Sequence, residues 1–452
     1  MLRRLDLTTL PDDLELRSLL PRPAIDVAHA LPVVQDLIAD VRERGGDALL
    51  DQAERFDRVR PATLRVPQQA ITDALVALDP QVRSALETAI ARVRVGSQAQ
   101  VPPPSRVEVA PGAIIELRWQ PVDRVGLYVP GGKAVYPSSV VMNVVAAQAA
   151  GVRSIAVASP AQAANGGLPH PTILAACALL GVDEVYAMGG AGAIGALAHG
   201  VPDIGLEPVD VVTGPGNVFV AAAKRAVAGL VRVDAEAGPT EILVIADATA
   251  DAELVAADLV SQAEHDELAS AVLVTDSTDL ADRVDASVAR RAAATPAAER
   301  VAASLTGEQS AIVLVADLAA AARVSDAYAP EHLEIMTADD DAVLATVRHA
   351  GAVFLGAHAP VSLGDYAAGS NHVLPTGGQA RRVAGLGAAT FLRPQQVVRY
   401  DRAALEAVRA DVTAIAGAEG LPAHAEAIEA RFAPTAAPRI DPAAAPRMEE
   451  ES

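Results

Sequence analysis

A single cysteine, Cys177 in the apolar run ILAACALLG, rules out an internal disulfide and any multi-cysteine metal site. With no nearby charge to stabilise a thiolate it reads as core, and a reducing, cytoplasmic setting is expected. Lysine is nearly absent as well: Lys133 and Lys224 are the only two, in a chain of formal charge -21. A surface that grips nucleic-acid phosphates needs clustered cations, so no nucleic-acid partner is expected. No apolar run approaches the ~20 residues of a membrane span, and the opening MLRRLDLTTLPDD lacks the uninterrupted apolar stretch of an export signal.

The chain does have bulk and pattern. Its 452 residues, 51% hydrophobic, suffice for two or three domains. Apolar positions recur at helical spacing through VVQDLIADVRERGGDALLDQAERF and ITDALVALDPQVRSALETAIARV, so the first 115 residues read as mostly helical. A hairpin, RVEVAPGAIIELRW, leads into strands alternating with helices: VGLYV, SIAVAS, DEVYAM, VDVVT, EILVIAD, SAVLVTD, AIVLVAD, LEIMT and AVFLG. That rhythm implies parallel sheets covered by helices. It breaks at VRVDAEAGPTE, which predicts an α/β fold of two Rossmann-like doubly wound domains with smaller helical N- and C-terminal segments. The expected division is a helical arm over 1–25, a discontinuous domain of 26–115 with 241–380, a second domain over 116–240, a dimerisation segment over 381–434 and a disordered Pro/Ala-rich tail over 435–452.

Several stretches carry chemistry. In SQAEHD, Gln262 and His265 stand three apart, a spacing that puts both on one helical face and converges them on a ligand. GGAGAIG contains a literal G-x-G-x-x-G from Gly190, but Asp210, at the spacing of a ribose-binding acid, opens a strand instead of closing one; an ordinary strand-to-helix turn competes with a dinucleotide site. In VTGPGNVFVAAAKRAV, Gly214, Gly216 and Asn217 form either a capped turn or a helix terminus open to a phosphate or cofactor amide. Tyr128 ends the strand GLYV, as core or as a cofactor contact. Glu331 and His332 in YAPEHLEIMT pair a carboxylate with an imidazole at an element boundary. Asp365 and His372 follow in a Gly-rich loop, and His424 in LPAHAEAIEARF. Gln262, His265, Asp365 and His424 would make a nitrogen and oxygen set suited to zinc, although only the first two are local.

Taken in order, GLYVPGG, GPGNVFVAAAKR, DAEAGPTE, SQAEHD, YAPEHLE, SLGDYAAGSNHVLPT and EGLPAH resemble the histidinol dehydrogenase family, over nearly the whole chain to about residue 432. The resemblance implies oxidation of L-histidinol through L-histidinal to L-histidine by two NAD+ in succession, in a homodimer with a shared active site and one zinc per subunit. It implies zinc on Gln262, His265, Asp365 and His424; substrate contacts from Thr240, Gln262, His265, His332, Asp365, His372, Glu419 and His424; and cofactor contacts from Tyr128, Asn217 and the position of Gly192. His332 would take the hydroxyl proton and Glu331 would activate water. Glu419 and His424 would reach the neighbouring subunit's pocket. Two departures stand out: GGAGAI where many relatives have GGAQAI, which removes a side chain at Gly192, and GPTE for GPSE, which keeps a hydroxyl at Thr240. Two other readings compete, a dehydrogenase of another small hydroxyl compound and a non-catalytic metal or ligand binder.

Overall fold

The computed structural model describes residues 1–23, 27–131, 135–235 and 238–433. The tail over 435–452 and parts of GLYVPGG and DAEAGPTE lie outside the described residues.

Every run read above as a strand becomes one. The strands are β1 (Arg3–Leu7), β2 (Ser105–Ala110), β3 (Ala113–Pro121), β4 (Arg124–Tyr128), β5 (Ser154–Ser159), β6 (Val185–Ala187), β7 (Val211–Thr213), β8 (Arg232–Val233), β9 (Glu241–Ala246), β10 (Ser270–Thr275), β11 (Ala311–Val315), β12 (His332–Met336), β13 (Ala352–Leu355) and β14 (Leu392–Tyr400). Two sheets are wholly parallel: a smaller one in the order β6-β5-β4-β7-β8 and a larger one in the order β1-β11-β10-β9-β12-β13. The change of sheet falls in VRVDAEAGPTE, as expected: β8 closes the small sheet and β9 opens the large one. Each sheet is doubly wound. Chain direction reverses between β4 and β7 in the small sheet, and between β9 and β12 in the large one.

The packing divides the chain differently from the sequence expectation. Contacts separate one unit, Met1–Pro102 with Pro121–Arg393, from a second made of Pro103–Gln120 and the described residues from Pro394 to 433. The hairpin β2–β3 thus belongs with β14 in an antiparallel sheet, together with the helices Arg402–Ala418 and Pro422–Glu429. The expected helical arm over 1–25 contains a strand, since β1 pairs in parallel with β11 before the helix Asp13–Leu19 begins. Nor do the helices between 27 and 99 join the large sheet. Ala30, Val34, Ile38 and Val41 of helix Val27–Arg44 enter the core of the small sheet, and helices Gln68–Ala77 and Pro80–Ala99 lie on helices Pro171–Leu179 and Pro137–Ala150. The reason lies in the small sheet's own helices. Pro137–Ala150 and Gly190–His199 are buried on nearly every side, so they need a second helical layer outside them.

Candidate active site

The site begins at a strained turn. Helix Leu318–Tyr328 stops at Ala329, whose φ of 51° is the left-handed conformation that a residue with a Cβ adopts only at a cost, here directly before Pro330. This reversal delivers Glu331 and His332, 7% and 4% exposed, to the amino edge of the large sheet. Glu331 Oε2 accepts from Thr240 Oγ1 at 2.6 Å and from the Glu241 backbone N–H at 2.8 Å. Burial outweighs those two donors and pushes the carboxyl up to about 8, with the charge of Asp365 adding to the effect. His332 Nδ1 lies 3.0 Å from the carbonyl oxygen of Glu241. A carbonyl only accepts, so Nδ1 carries the hydrogen and Nε2 keeps its lone pair. Burial holds this imidazole below its usual value, against the pull of Asp365 and Glu241.

Gln262 reaches the same place from the buried face of helix Ala252–Ala263. Its Nε2 donates to Thr240 Oγ1 at 2.5 Å, so a chain of donors runs from Gln262 through Thr240 to Glu331. His265 does not share the helical face of Gln262, as the spacing had suggested. The helix ends at Ala263 with Glu264 as its cap, and His265 stands in the turn beyond, where Asp266 accepts from the Leu268 N–H. That turn nonetheless brings His265 Nε2 to 3.9 Å from Asp365 Oδ2. His372 joins them through Nδ1, 2.8 Å from the Asp365 carbonyl oxygen, while its Nε2 is 3.4 Å from Ser139 Oγ. Burial lowers the affinity of His265 and of His372 for a proton, and Asp365 opposes it in both cases.

The Gln262 amide oxygen, His265 and Asp365 supply nitrogen and oxygen donors without sulfur, the chemistry a zinc-like cation accepts. The set is incomplete by itself: no three of His, Cys, Asp and Glu converge as a metal cluster among the described residues. His424, on helix Pro422–Glu429, and Glu419, capping helix Arg402–Ala418, are exposed residues of the second unit.

Tyr128 and Asn217 lie at the carboxyl edge of the small sheet, beside its switch between β4 and β7, where open α/β sheets receive ligands. Tyr128 is buried, and its hydroxyl accepts from the Gly190 N–H at 3.2 Å. Asn217 caps helix Val218–Val227, accepting from Phe219 N at 3.0 Å and Val220 N at 3.2 Å. Gly214 has a φ of 120°, and a Cβ there would stand 1.9 Å from the Tyr128 carbonyl oxygen, so only glycine lets the two loops meet. Asp210 is excluded as a ribose partner. It sits at the opposite, amino edge, accepting from the Asp123 and Arg124 N–H groups, both at 3.0 Å. Gly192 is buried inside its helix, and a Cβ there would fall 2.2 Å from Gln52 Oε1; the Gln52 side chain fills the space a larger residue would need. Cys177 is core, its thiol pushed up to about 12 by burial.

Sequence reasoning passed over several contributors. Lys224 was legible only as one of two lysines, yet it is 1% exposed, donating to Asp234 Oδ1 at 2.6 Å, while Asp234 Oδ2 accepts from Gly214 N at 2.9 Å. Glu241 is held by Arg22 at 3.0 Å and by Gly377 N–H at 3.1 Å, and burial pushes it up to about 7. Ser139 gave no signal at all.

A buried imidazole and carboxyl side by side on a doubly wound parallel-sheet scaffold fit an α/β oxidoreductase. The chain belongs to the histidinol dehydrogenase family, whose model matches residues 20–432. It is 64% identical to the histidinol dehydrogenase of Leifsonia xyli subsp. xyli over 92% of this chain and 95% of that one. Identity to that of Thermobifida fusca is 58%, over 96% of this chain and 98% of the relative. The crystal structure of histidinol dehydrogenase from Elizabethkingia anophelis superposes with a TM-score of 0.89 at 30% identity, covering 95% of this chain and 98% of that one.

Proposed function

We propose that the chain oxidises L-histidinol to L-histidine through L-histidinal, using two NAD+ in turn and one zinc per subunit, in a cytoplasmic homodimer. The observation that carries this reading is the buried pair Glu331 and His332 set against Gln262, His265 and Asp365. When bound, zinc would supply an electrophilic anchor for the substrate's nitrogens and NAD+ would accept hydride. Gln262, His265 and Asp365 would hold the metal, with His424 of a second copy as the fourth donor and Glu419 beside it. Exposed apolar side chains on the second unit, among them Val107, Val109, Val398, Ile415 and Leu421, support burial of that surface against another copy.

In the first oxidation His332 Nε2 takes the hydroxyl proton as hydride leaves carbon, which yields the aldehyde. Burial keeps His332 neutral and able to accept. In the second, Glu331 removes a proton from water as it adds to the aldehyde carbon, and hydride leaves the hydrate to give the carboxylate. Thr240 and the Glu241 N–H both bind Glu331 Oε2, which leaves Oε1 for that water. Tyr128 and Asn217 would border the nicotinamide nucleotide without a side-chain contact from Gly192, whose place Gln52 fills, and His372, oriented by Asp365, would contact substrate.

The test is a stoichiometry. Two NADH per histidinol are expected, with activity abolished by chelation and restored by zinc. One NADH per histidinol, or no turnover with the metal restored, overturns the four-electron reading.

A further inference from the structure

Glu334 is 0% exposed in the middle of β12, in register with Val244 of β9 and Phe354 of β13. Strand alternation puts it on the face of His332, the face that packs with helix Ala252–Ala263. On that helix Asp258, 8% exposed, lies one turn before Gln262 on the same side. The two carboxyls are close enough to share a bond, and neither buried Glu334 oxygen finds a donor anywhere else. Two carboxylates can only accept, so the bond needs a proton held between them. Burial pushes both groups up, and the charge of Asp258 adds to this at Glu334. The cation acting on Asp258 is Arg291 of helix Thr278–Ala294, which also binds Glu253 at 3.0 Å.

Such a pair adds little stability, since well-packed apolar residues of similar volume often fold as well or better. Its place is more telling. One member lies two residues from His332 and the other one turn from Gln262, so the bond ties the element that moves protons to the element that holds metal and substrate. We propose that Asp258 and Glu334 are positioning residues, a proton-sharing clasp that sets helix Ala252–Ala263 against β12 so that Gln262 and His265 meet Glu331 and His332 at reacting distance. This inference rests on the reading of the site given above.

The experiment uses the full zinc-loaded protein with histidinol and NAD+, and wild-type turnover comes first, because its absence overturns that reading and the clasp together. Glu334→Met keeps the volume and removes the bond. It is expected to melt at or above the wild-type temperature, retain its zinc by metal analysis, keep KM within about twofold and lose at least about tenfold in kcat, as small misplacements at reacting distance do. Glu334→Gln restores a donor to Asp258 and should recover kcat to within about threefold of wild type. Wild-type kcat in Glu334→Met overturns the clasp, as does a Glu334→Gln enzyme just as slow, or loss of zinc from Glu334→Met. Should Glu334→Met fail to fold, Asp258→Asn against Asp258→Ala is read the same way, the amide retaining kcat and the truncation losing it.

Discussion

Glu331 and His332 are adjacent in the chain and buried together, yet their environments shift them in opposite directions relative to neutrality. His332 is ready to accept a proton near neutral pH, because burial lowers it from the usual ~6.5. Glu331, raised to about 8, becomes a base only on the alkaline side. The rate of histidinal oxidation should therefore climb as pH rises through about 8, while histidinol oxidation levels off at lower pH; separate pH profiles with each substrate check this. Glu331→Gln should slow aldehyde oxidation at least about a hundredfold more than alcohol oxidation, and equal slowing in single-substrate assays would remove the water-activating role. The identities of these two residues were legible in PEHLE, but their proton affinities were not. Those come first from burial, then from Thr240 and Glu241 at the start of β9 and from Asp365 on helix Val361–Tyr366.

Strand pattern was the most readable level of the chain, because β-branched and leucine-rich runs between helices leave little alternative to buried parallel strands. The strands that escaped were β1, β8 and β14: RRLDL and LRPQQVVRY are polar and mostly exposed, and RV is two residues long. Sequence also could not show which edge of each sheet is used. Tyr128 and Asn217 stand at a carboxyl edge, as the usual rule for open sheets has it, while Thr240, Glu331 and His332 stand at an amino edge. At the small-sheet end of the connection to β9, Asp234 is held by its ion pair with Lys224. Lys224→Met would strand a buried carboxylate and should cost about 3–5 kcal/mol. Chemical denaturation measures that loss, and a fall in NAD+ affinity by calorimetry should accompany it.

Across the molecule the buried carboxyls set a pH dependence of stability. Glu241 and Glu331 are raised from 4.5 to about 7 and about 8, so the folded chain binds more protons than the unfolded one between those values. Their contribution is whole below about 4.5 and is lost as pH rises through 7 and 8. The buried histidines, lowered from 6.5, are neutral in both states above that value and add no slope there. Metal-free protein should accordingly melt at a lower temperature at pH 8.5 than at 6.5, and Glu331→Gln should flatten the difference in a thermal scan. The shared site is tested at the same scale. Co-expressed His332→Asn and His424→Asn chains, each inactive alone, should regain roughly a quarter of wild-type activity if random pairing builds one intact site per mixed dimer.

The sealed amine of Lys224 makes this chain its own conformational clock. An acylating reagent can modify that nitrogen only after the loop around Gly214 has opened, so the rate at which the Lys224 peptide gains mass during a labelling pulse would time the breathing of the small sheet. Few proteins offer so uncluttered a readout, because here almost no other side-chain amines compete for the reagent.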